Sequence, residues 1–247
     1  VDSARELSLE VSEHFRGERH SEKLAADTGQ LVQLAEQLHL ELHRGNYGQV
    51  DMDRLRETSN EFIEVVARLP RTIGLLDRQP NNPYAREGVA HMMSAYREAH
   101  TIAMEIDRYL MVDTDIVDRQ ADRLTKSVEE LHLEFHEHLE GYALSARIDR
   151  ELVRLSNTAE HIHDIAHQQA WSSWQLAHIE RDVRELREAT RQVEWLINQQ
   201  ARQGIRSADW DGVEHSLDAI TDIHASAYLL EHMVAKYRAS LRPYGPD

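Results

Sequence analysis

The sequence predicts an all-α protein made of long antiparallel helices in an elongated bundle, and three observations carry this prediction. Only 10 glycines and 5 prolines occur among 247 residues, about half the usual share of these turn-forming residues. Apolar residues recur at spacings of three and four over long stretches, which is typical of helices packed at shallow crossing angles. No alternating runs of the kind that form strands separate these stretches.

The helical spacing is clearest in two stretches that contain no internal glycine or proline, 89–140 and 142–203. Their apolar seams are Val89, Met92, Tyr96, Ala99, Ala103, Ile106 and Leu110 in the first and Leu176, Ile179, Val183, Leu186, Thr190, Val193 and Ile197 in the second. We predict a short helix over 3–16 and seven long ones over 21–44, 50–78, 84–112, 114–140, 146–170, 173–203 and 209–241. Glycine, proline or paired serine marks most of the breaks. Asp113–Asp115 contains no helix breaker, so whether 84–112 and 114–140 are continuous stays open.

An internal repeat suggests how these helices are grouped. The segment Gln37–His43 recurs 93 residues later as Glu130–His136, and Ser59-Asn60 recurs 97 residues later as Ser156-Asn157. A period of about 93 residues equals three helices. It predicts a first unit over 1–112, a second over 113–208 and a partial third over 209–247. The alternative is one or two up-and-down four-helix bundles, and the sequence leaves both arrangements open.

Composition and charge disfavour several classes of partner and chemistry. A formal charge of −16 without a basic run disfavours nucleic acid and anionic membrane surfaces, because neutralising phosphates drives that binding. No stretch approaches the 18 or so apolar residues of a membrane-spanning helix, so we expect a soluble protein without membrane insertion. The absence of cysteine excludes thiol catalysis and cysteine-ligated metals. The chain begins at Val1, which fits a removed export signal and a trimmed chain equally, so the location stays open, with the periplasm or the exterior slightly favoured over the cytoplasm.

Histidine is unusually frequent, with 16 residues, and three clusters share the pattern Glu-x-x-His-x-x-x-His. The clusters are Glu36-His39-His43, Glu129-His132-His136 and Glu160-His163-His167. These spacings place the three side chains on one helical stripe, and imidazoles one turn apart form half of a site for Zn²⁺, Cu²⁺ or Ni²⁺. The second and third pairs lie at different distances from the turn between their helices. We therefore expect the remaining ligands to come from non-adjacent helices or from another subunit.

Two other interpretations of these histidines compete with metal binding. All three clusters lie in the last turns of their helices, where an imidazolium stabilises the negative end of the helix dipole. The Glu-x-x-His pattern also occurs in ferritin-like di-iron bundles, whose ligands point into the core. With Leu38 at the centre of its apolar face, Glu36, His39 and His43 point to the edge or away, which disfavours a di-iron oxidoreductase. His138 follows Leu131 by seven residues and is expected to point inward.

The sequence shows no phosphate-binding loop, nucleophile motif or evident acid and base pair, so we do not expect an enzyme. The leading hypothesis is a non-catalytic helical scaffold or interaction module that binds a protein partner or itself. The alternative is a histidine-rich metal-binding bundle with His39, His43, His132, His136, His163 and His167 as ligands. No cofactor is expected other than a divalent transition metal.

Overall fold

The computed structural model describes residues 1–17, 20–45, 51–77, 85–109, 112, 114–168 and 171–241. These residues form helices and short connections, and no strand occurs among them. The all-α prediction is therefore confirmed. Contacts divide the chain into two compact units, Val1–Leu110 and Met111–Asp247.

The first unit is a four-helix bundle. Its helices are α1 (Asp2–His14), α2 (Ser21–Gly45), α3 (Met52–Asp77) and α4 (Ala85–Tyr109). Each helix contacts its neighbours in chain order, and α1 closes the ring against α4. Short connections between successive neighbours make them antiparallel, so the arrangement is up-and-down.

The second unit closes in the same way. Its helices are α5 (Thr114–Glu134), α6 (Ser145–Ala166), α7 (Ser173–Gln203) and α8 (Trp210–Ser240), with α5 packed against both α6 and α8. A π-helical turn, Phe135–Leu139, extends α5, and a 3₁₀ turn, Ser207–Asp209, precedes α8. Its apolar seam is well formed, since all seven positions predicted on α7 are buried.

This arrangement corresponds to the four-helix alternative that the sequence left open. The last helix was predicted to start a third unit over 209–247, but α8 packs against α5 and α7 within the second bundle. The period of about 93 residues remains a prediction. The junction between the helices predicted over 84–112 and 114–140 lies largely outside the described residues.

Local sequence explains the ends of the longest helices. The Ser172 side chain accepts a hydrogen bond from the backbone N–H of Gln175, whose side chain in turn accepts from the N–H of Ser172, which fixes the start of α7. Gly204 ends α7 with a φ of +113°, a conformation that glycine adopts without steric cost. The most apolar helix, α8, is buried over much of its surface. Neither α8 nor any other helix among the described residues is long and apolar enough to cross a bilayer.

Candidate metal centres

The predicted pair His132 and His136 meets a carboxylate from the neighbouring helix. The Nε2 atoms of His132 and His136 lie 4.0 and 3.7 Å from the same oxygen, Oδ1 of Asp149 on α6. The two imidazoles stack with their ring centroids 4.9 Å apart. One potential ligand atom from each of the three residues falls within 4.8 Å of the other two. These are distances over which one metal ion can gather three ligands after small side-chain movements.

The predicted pair His163 and His167 is placed in the same way. Here the carboxylate is Asp118, on α5. Its Oδ1 lies 3.8 Å from Nε2 of His163, and its Oδ2 lies 3.3 Å from Nδ1 of His167. These three residues form a second group whose ligand atoms lie within 4.8 Å of one another.

The two groups occupy equivalent positions on α5 and α6. Counted from Thr114 and Ser145, the first residues of α5 and α6, the aspartate is the fifth residue and the histidines are the nineteenth and twenty-third. The second histidine of each pair, His136 or His167, lies just beyond the last residue of its helix. The two segments are therefore offset by 31 residues, one third of the period found earlier. Further identical pairs at this offset are Arg119 and Arg150, Arg123 and Arg154, Leu124 and Leu155, and Glu129 and Glu160. Because α5 and α6 run antiparallel, the aspartate near the start of one helix meets the histidines near the end of the other.

This placement differs from the expectation that the remaining ligands come from non-adjacent helices or another subunit. That expectation considered only whether the two histidine pairs could meet each other, and they do not. Asp118 and Asp149 were not predicted as ligands, although the 31-residue offset was a signal that could have found them. The structure also leaves Glu129 and Glu160 exposed on the outer surface of the bundle.

A groove with a volume of about 490 Å³ runs between α5 and α6 beside the first group. It is lined by His132 and His136 themselves, by Glu129 and Glu160, and by apolar side chains that include the exposed Leu133. The side chains of His132, His136 and Asp149 are 29, 43 and 45% exposed. A metal ion can therefore reach this group directly from solvent.

The third predicted pair, His39 and His43 on α2, has different surroundings. Both residues are exposed, while neighbouring Leu38 is buried, so the pair lies on the outside of the first bundle as predicted. Their rings meet edge to face with centroids 4.4 Å apart. Among the described residues, no aspartate or glutamate joins them in a three-ligand group. The pair therefore supplies two imidazoles without a third ligand in this part of the chain.

A further group that sequence reasoning missed bridges α6 and α7. It consists of His161, His178 and Asp182, whose ligand atoms also lie within 4.8 Å of one another. His178 and Asp182 are one turn apart on α7, but His161 belongs to the preceding helix. No spacing within a single helix reveals such a group.

His138, expected to point inward, packs against α8 and stays half-buried. An ideal Cβ built on Gly212 would lie 2.1 Å from the Cβ of His138, so only glycine permits this contact. The Nε2 of His138 lies 3.8 Å from Oε2 of Glu134, and Nδ1 of His215 lies 3.4 Å from the same oxygen. These contacts give His138 a packing role at the α5–α8 contact.

A polar cluster joins the turn after α5 to the start of α8. The hydroxyl of Tyr142 donates a hydrogen bond to Asp209 and accepts one from the backbone N–H of Arg206. This bond to Tyr142, together with the nearby guanidinium of Arg206, lowers the pKa of the Asp209 carboxyl below its ordinary value. Hydrogen bonds to Tyr142 and to Asp209 raise the pKa of Arg206.

Comparison of the chain with protein-family models, with curated proteins and with solved structures found no match.

Proposed function

We propose that the second bundle binds divalent transition-metal ions at two equivalent sites on the α5–α6 helix pair. One site consists of His132, His136 and Asp149, and the other of His163, His167 and Asp118. The observation that carries the proposal is that two histidine pairs chosen from sequence spacing each meet an aspartate from the facing helix. The two imidazoles and the carboxylate of each group all offer lone pairs that one metal ion can share.

Two imidazoles and one carboxylate suit Zn²⁺, Cu²⁺ and Ni²⁺ better than Mg²⁺ or Ca²⁺, which prefer oxygen ligands. Three protein ligands leave at least one coordination position for water. The partial exposure of the ligands supports reversible binding and exchange with solvent. We therefore propose a binding role without catalysis for these two sites.

The proposal is tested by titrating metal-free protein with Zn²⁺ in a calorimeter and comparing four chains: the parent, Asp118→Asn, Asp149→Asn and His39→Ala/His43→Ala. Asparagine keeps the size of aspartate but removes the charge, so each Asp→Asn variant should bind one Zn²⁺ fewer than the parent. Replacing a residue that only hydrogen-bonds to a metal ligand alters metal affinity about 10–100-fold, so loss of a direct ligand should weaken its site at least as much. The His39/His43 variant is the matched control and should bind like the parent.

Two results would overturn the proposal. One is a parent that binds Zn²⁺ no more tightly than isolated histidine pairs do. The other is an Asp118→Asn/Asp149→Asn chain that keeps the parent stoichiometry.

Metal binding should also stabilise the second bundle and depend on pH. At a Zn²⁺ concentration of about 100 times Kd, each occupied site adds ~2.7 kcal/mol to the free energy of unfolding. Imidazole must be unprotonated to bind a metal, so this gain should disappear as the pH falls toward 5. All four tryptophans lie in the second unit, so their fluorescence during thermal unfolding measures the effect in the relevant bundle.

An interaction module, the function favoured by sequence alone, is the second candidate. It is supported by Trp174 and Trp195 on α7, which are 68 and 50% exposed. Large aromatic side chains on a surface are frequent anchors of protein interfaces. If they mediate self-association, sedimentation should show oligomers in the parent and monomers in a Trp174→Ser/Trp195→Ser variant. A monomeric parent would exclude self-association.

A further inference from the structure

The group between α6 and α7 differs from the two α5–α6 sites in the burial of its carboxylate. The side chain of Asp182 is only 7% exposed, and Asp182 lies beside residues of the apolar seam of α7. Removing a carboxylate from water is costly unless positive charge or hydrogen bonds compensate. The side chains around Asp182 therefore compensate for the removal of its carboxylate from water.

Two histidines from different helices converge on this carboxylate. Nδ1 of His161 lies 2.8 Å from Oδ2 of Asp182, and Nε2 of His178 lies 3.6 Å from the same oxygen. The two imidazole centroids are 5.0 Å apart. The His161 side chain is 50% exposed, whereas that of His178 is 17% exposed. The group thus has one ligand at the surface and two in the interior of the helix contact.

A side-chain cation already touches two members of this group. Arg181 donates from Nη2 to Nε2 of His178, and its Nε lies 3.5 Å from Oδ1 of Asp182. The Arg181 side chain as a whole is 55% exposed. Arg181 can therefore leave the group without unpacking the bundle, and a metal ion must displace it to use His178 as a ligand.

A groove with a volume of about 490 Å³ leads to the group from solvent. It is lined by His161, His178 and Asp182 and by Arg150, Arg154 and Arg181. An ion can reach the three ligands through this groove, but the arginines oppose any cation there. Only an ion held by all three ligands, with Arg181 moved away, should therefore bind.

We propose that His161, His178 and Asp182 form a third site for a divalent transition metal, which links α6 to α7 and for which Arg181 competes. This site goes beyond the two α5–α6 sites, since it uses different residues and a different pair of helices. Because Asp182 is buried and His178 is only 17% exposed, its metal should exchange more slowly with solvent than metal at the α5–α6 sites. The free energy needed to displace Arg181 lowers the affinity of this site for the metal ion.

Trp174 provides a local readout of this site. Its ring centroid lies 4.8 Å from that of His178, and its side chain is exposed. Cu²⁺ bound at His178 should quench the fluorescence of Trp174. The contribution of Trp174 is the part of the quenching that a Trp174→Phe variant loses.

The test titrates Cu²⁺ into the full chain carrying Asp118→Asn/Asp149→Asn, in which the α5–α6 sites are weakened. We expect one Cu²⁺ per chain with quenching of Trp174, and loss of both when His178→Gln is added. Asp182 is left unchanged because replacing a buried carboxylate could unfold the bundle. Circular dichroism verifies that each variant remains helical.

Arg181→Gln separates a metal site from a purely structural ion-pair cluster. The substitution removes the contacts to His178 and Asp182 that a metal ion must break. An ion pair at about 4 Å is equivalent to about fivefold in binding even with the dielectric constant of water, so Cu²⁺ binding should tighten by about that factor or more. Arg184→Gln is the matched control, since it removes the same charge from an exposed position on α7 whose Nε donates to the backbone oxygen of Glu180. It should tighten binding much less.

The third site is overturned if the Asp118→Asn/Asp149→Asn chain does not quench with Cu²⁺, or if His178→Gln leaves quenching unchanged. It is also overturned if Arg181→Gln and Arg184→Gln bind alike. Failure of the α5–α6 sites gives a different result. In that case the Asp118→Asn/Asp149→Asn chain binds as the parent does, while His178→Gln removes the binding.

Discussion

The α2–α3 pair of the first bundle and the α5–α6 pair of the second both place carboxylates against the neighbouring helix, but different cations meet them. On α3, Arg68 contacts Asp27 at 3.1 Å and Glu64 at 3.3 Å, and all three side chains are largely buried. Arg54 similarly contacts the buried Glu41 of α2 at 3.2 Å. On the α5–α6 pair, histidines take the place of these arginines.

This difference in side chains changes what the two surfaces can bind. An arginine stays charged at all relevant pH values and offers only donors, so a carboxylate paired with it is already neutralised. A neutral imidazole instead has a lone pair, and with a carboxylate it forms a ligand set for a metal. One helix pair is therefore held by permanent ion pairs, whereas the other has partners that can accept either a proton or a metal ion.

The largest expected effect comes from removing the buried guanidinium of Arg68 from the first bundle. Arg68→Met withdraws the charge from two buried carboxylates, and breaking a buried pair in this way typically costs about 3–5 kcal/mol. Urea unfolding followed by circular dichroism measures the loss. Arg5→Met is the control, because the Arg5–Glu36 pair is 57 and 45% exposed and such pairs contribute about 1 kcal/mol or less. Equal losses in the two variants would show that burial of the Arg68 pair has no energetic consequence.

A smaller effect is expected from helix glycines, with opposite signs in the two bundles. Gly212→Ala places a methyl group against His138 and should destabilise the second bundle by about 1–3 kcal/mol through overpacking. Gly74→Ala on α3 meets open space, so it should stabilise the first bundle by about 0.5–1 kcal/mol through helix propensity. Thermal unfolding of both variants checks the two signs. Stabilisation by Gly212→Ala would show that α5 and α8 can separate at no cost.

The His39 and His43 pair of the first bundle can be given a carboxylate like the one that each α5–α6 histidine pair meets. Aligning Ser59-Asn60 with Ser156-Asn157 places Met52 at the position of Asp149, across from His39 and His43. Met52→Asp should therefore add a Zn²⁺ site and tighten binding at this pair by about tenfold or more. Calorimetry on the Asp118→Asn/Asp149→Asn background isolates the new site. Met52→Asn, which has similar size and no charge, should gain much less, and equal gains would rule out a carboxylate ligand.

The smallest effect concerns the acid dependence of the Tyr142 cluster. Since the pKa of Asp209 is lowered in the folded chain, its ionised form adds stability at neutral pH, and this stability is lost as the pH falls through the lowered pKa. Tyr142→Phe removes the leading cause, so the pKa of Asp209 should rise toward 3.8, its ordinary value. Carboxyl NMR titration measures the shift. The stability difference between the two chains should shrink in acid, and a constant difference would mean that the hydroxyl does not act through Asp209.

The helices could be predicted from sequence because their ends and faces depend on local chemistry. For α7 the predicted range, 173–203, agrees with Ser173–Gln203, since the Ser172 cap and Gly204 both act within one turn. The π-helical turn was not predicted and lies within the expected helix over 114–140. Its residues have no capping or breaking signal, and it forms where His138 packs against α8.

The histidine pairs were predictable for the same local reason, because residues four apart share a helical face. The aspartates were not found, since contacts between helices depend on register, which periodicity within one helix does not define. For Asp118 and Asp149, the 31-residue offset indicated which residues of α5 and α6 occupy equivalent positions. His161 and Asp182 are not repeated at this offset, where Gln192 and Glu151 stand instead, so only the packing of α6 against α7 brings them together.

The equivalence of the two α5–α6 sites affects how a binding curve must be interpreted. Identical independent sites give an isotherm of the same shape as a single site, and only the stoichiometry differs. At half saturation the population is then a mixture of positional isomers, with the ion near the end of α5 in some molecules and near the end of α6 in others. Calorimetry averages over these isomers, whereas the separate NMR signals of His132 and His163 count them. Unequal populations would measure how far the surroundings of the two sites differ.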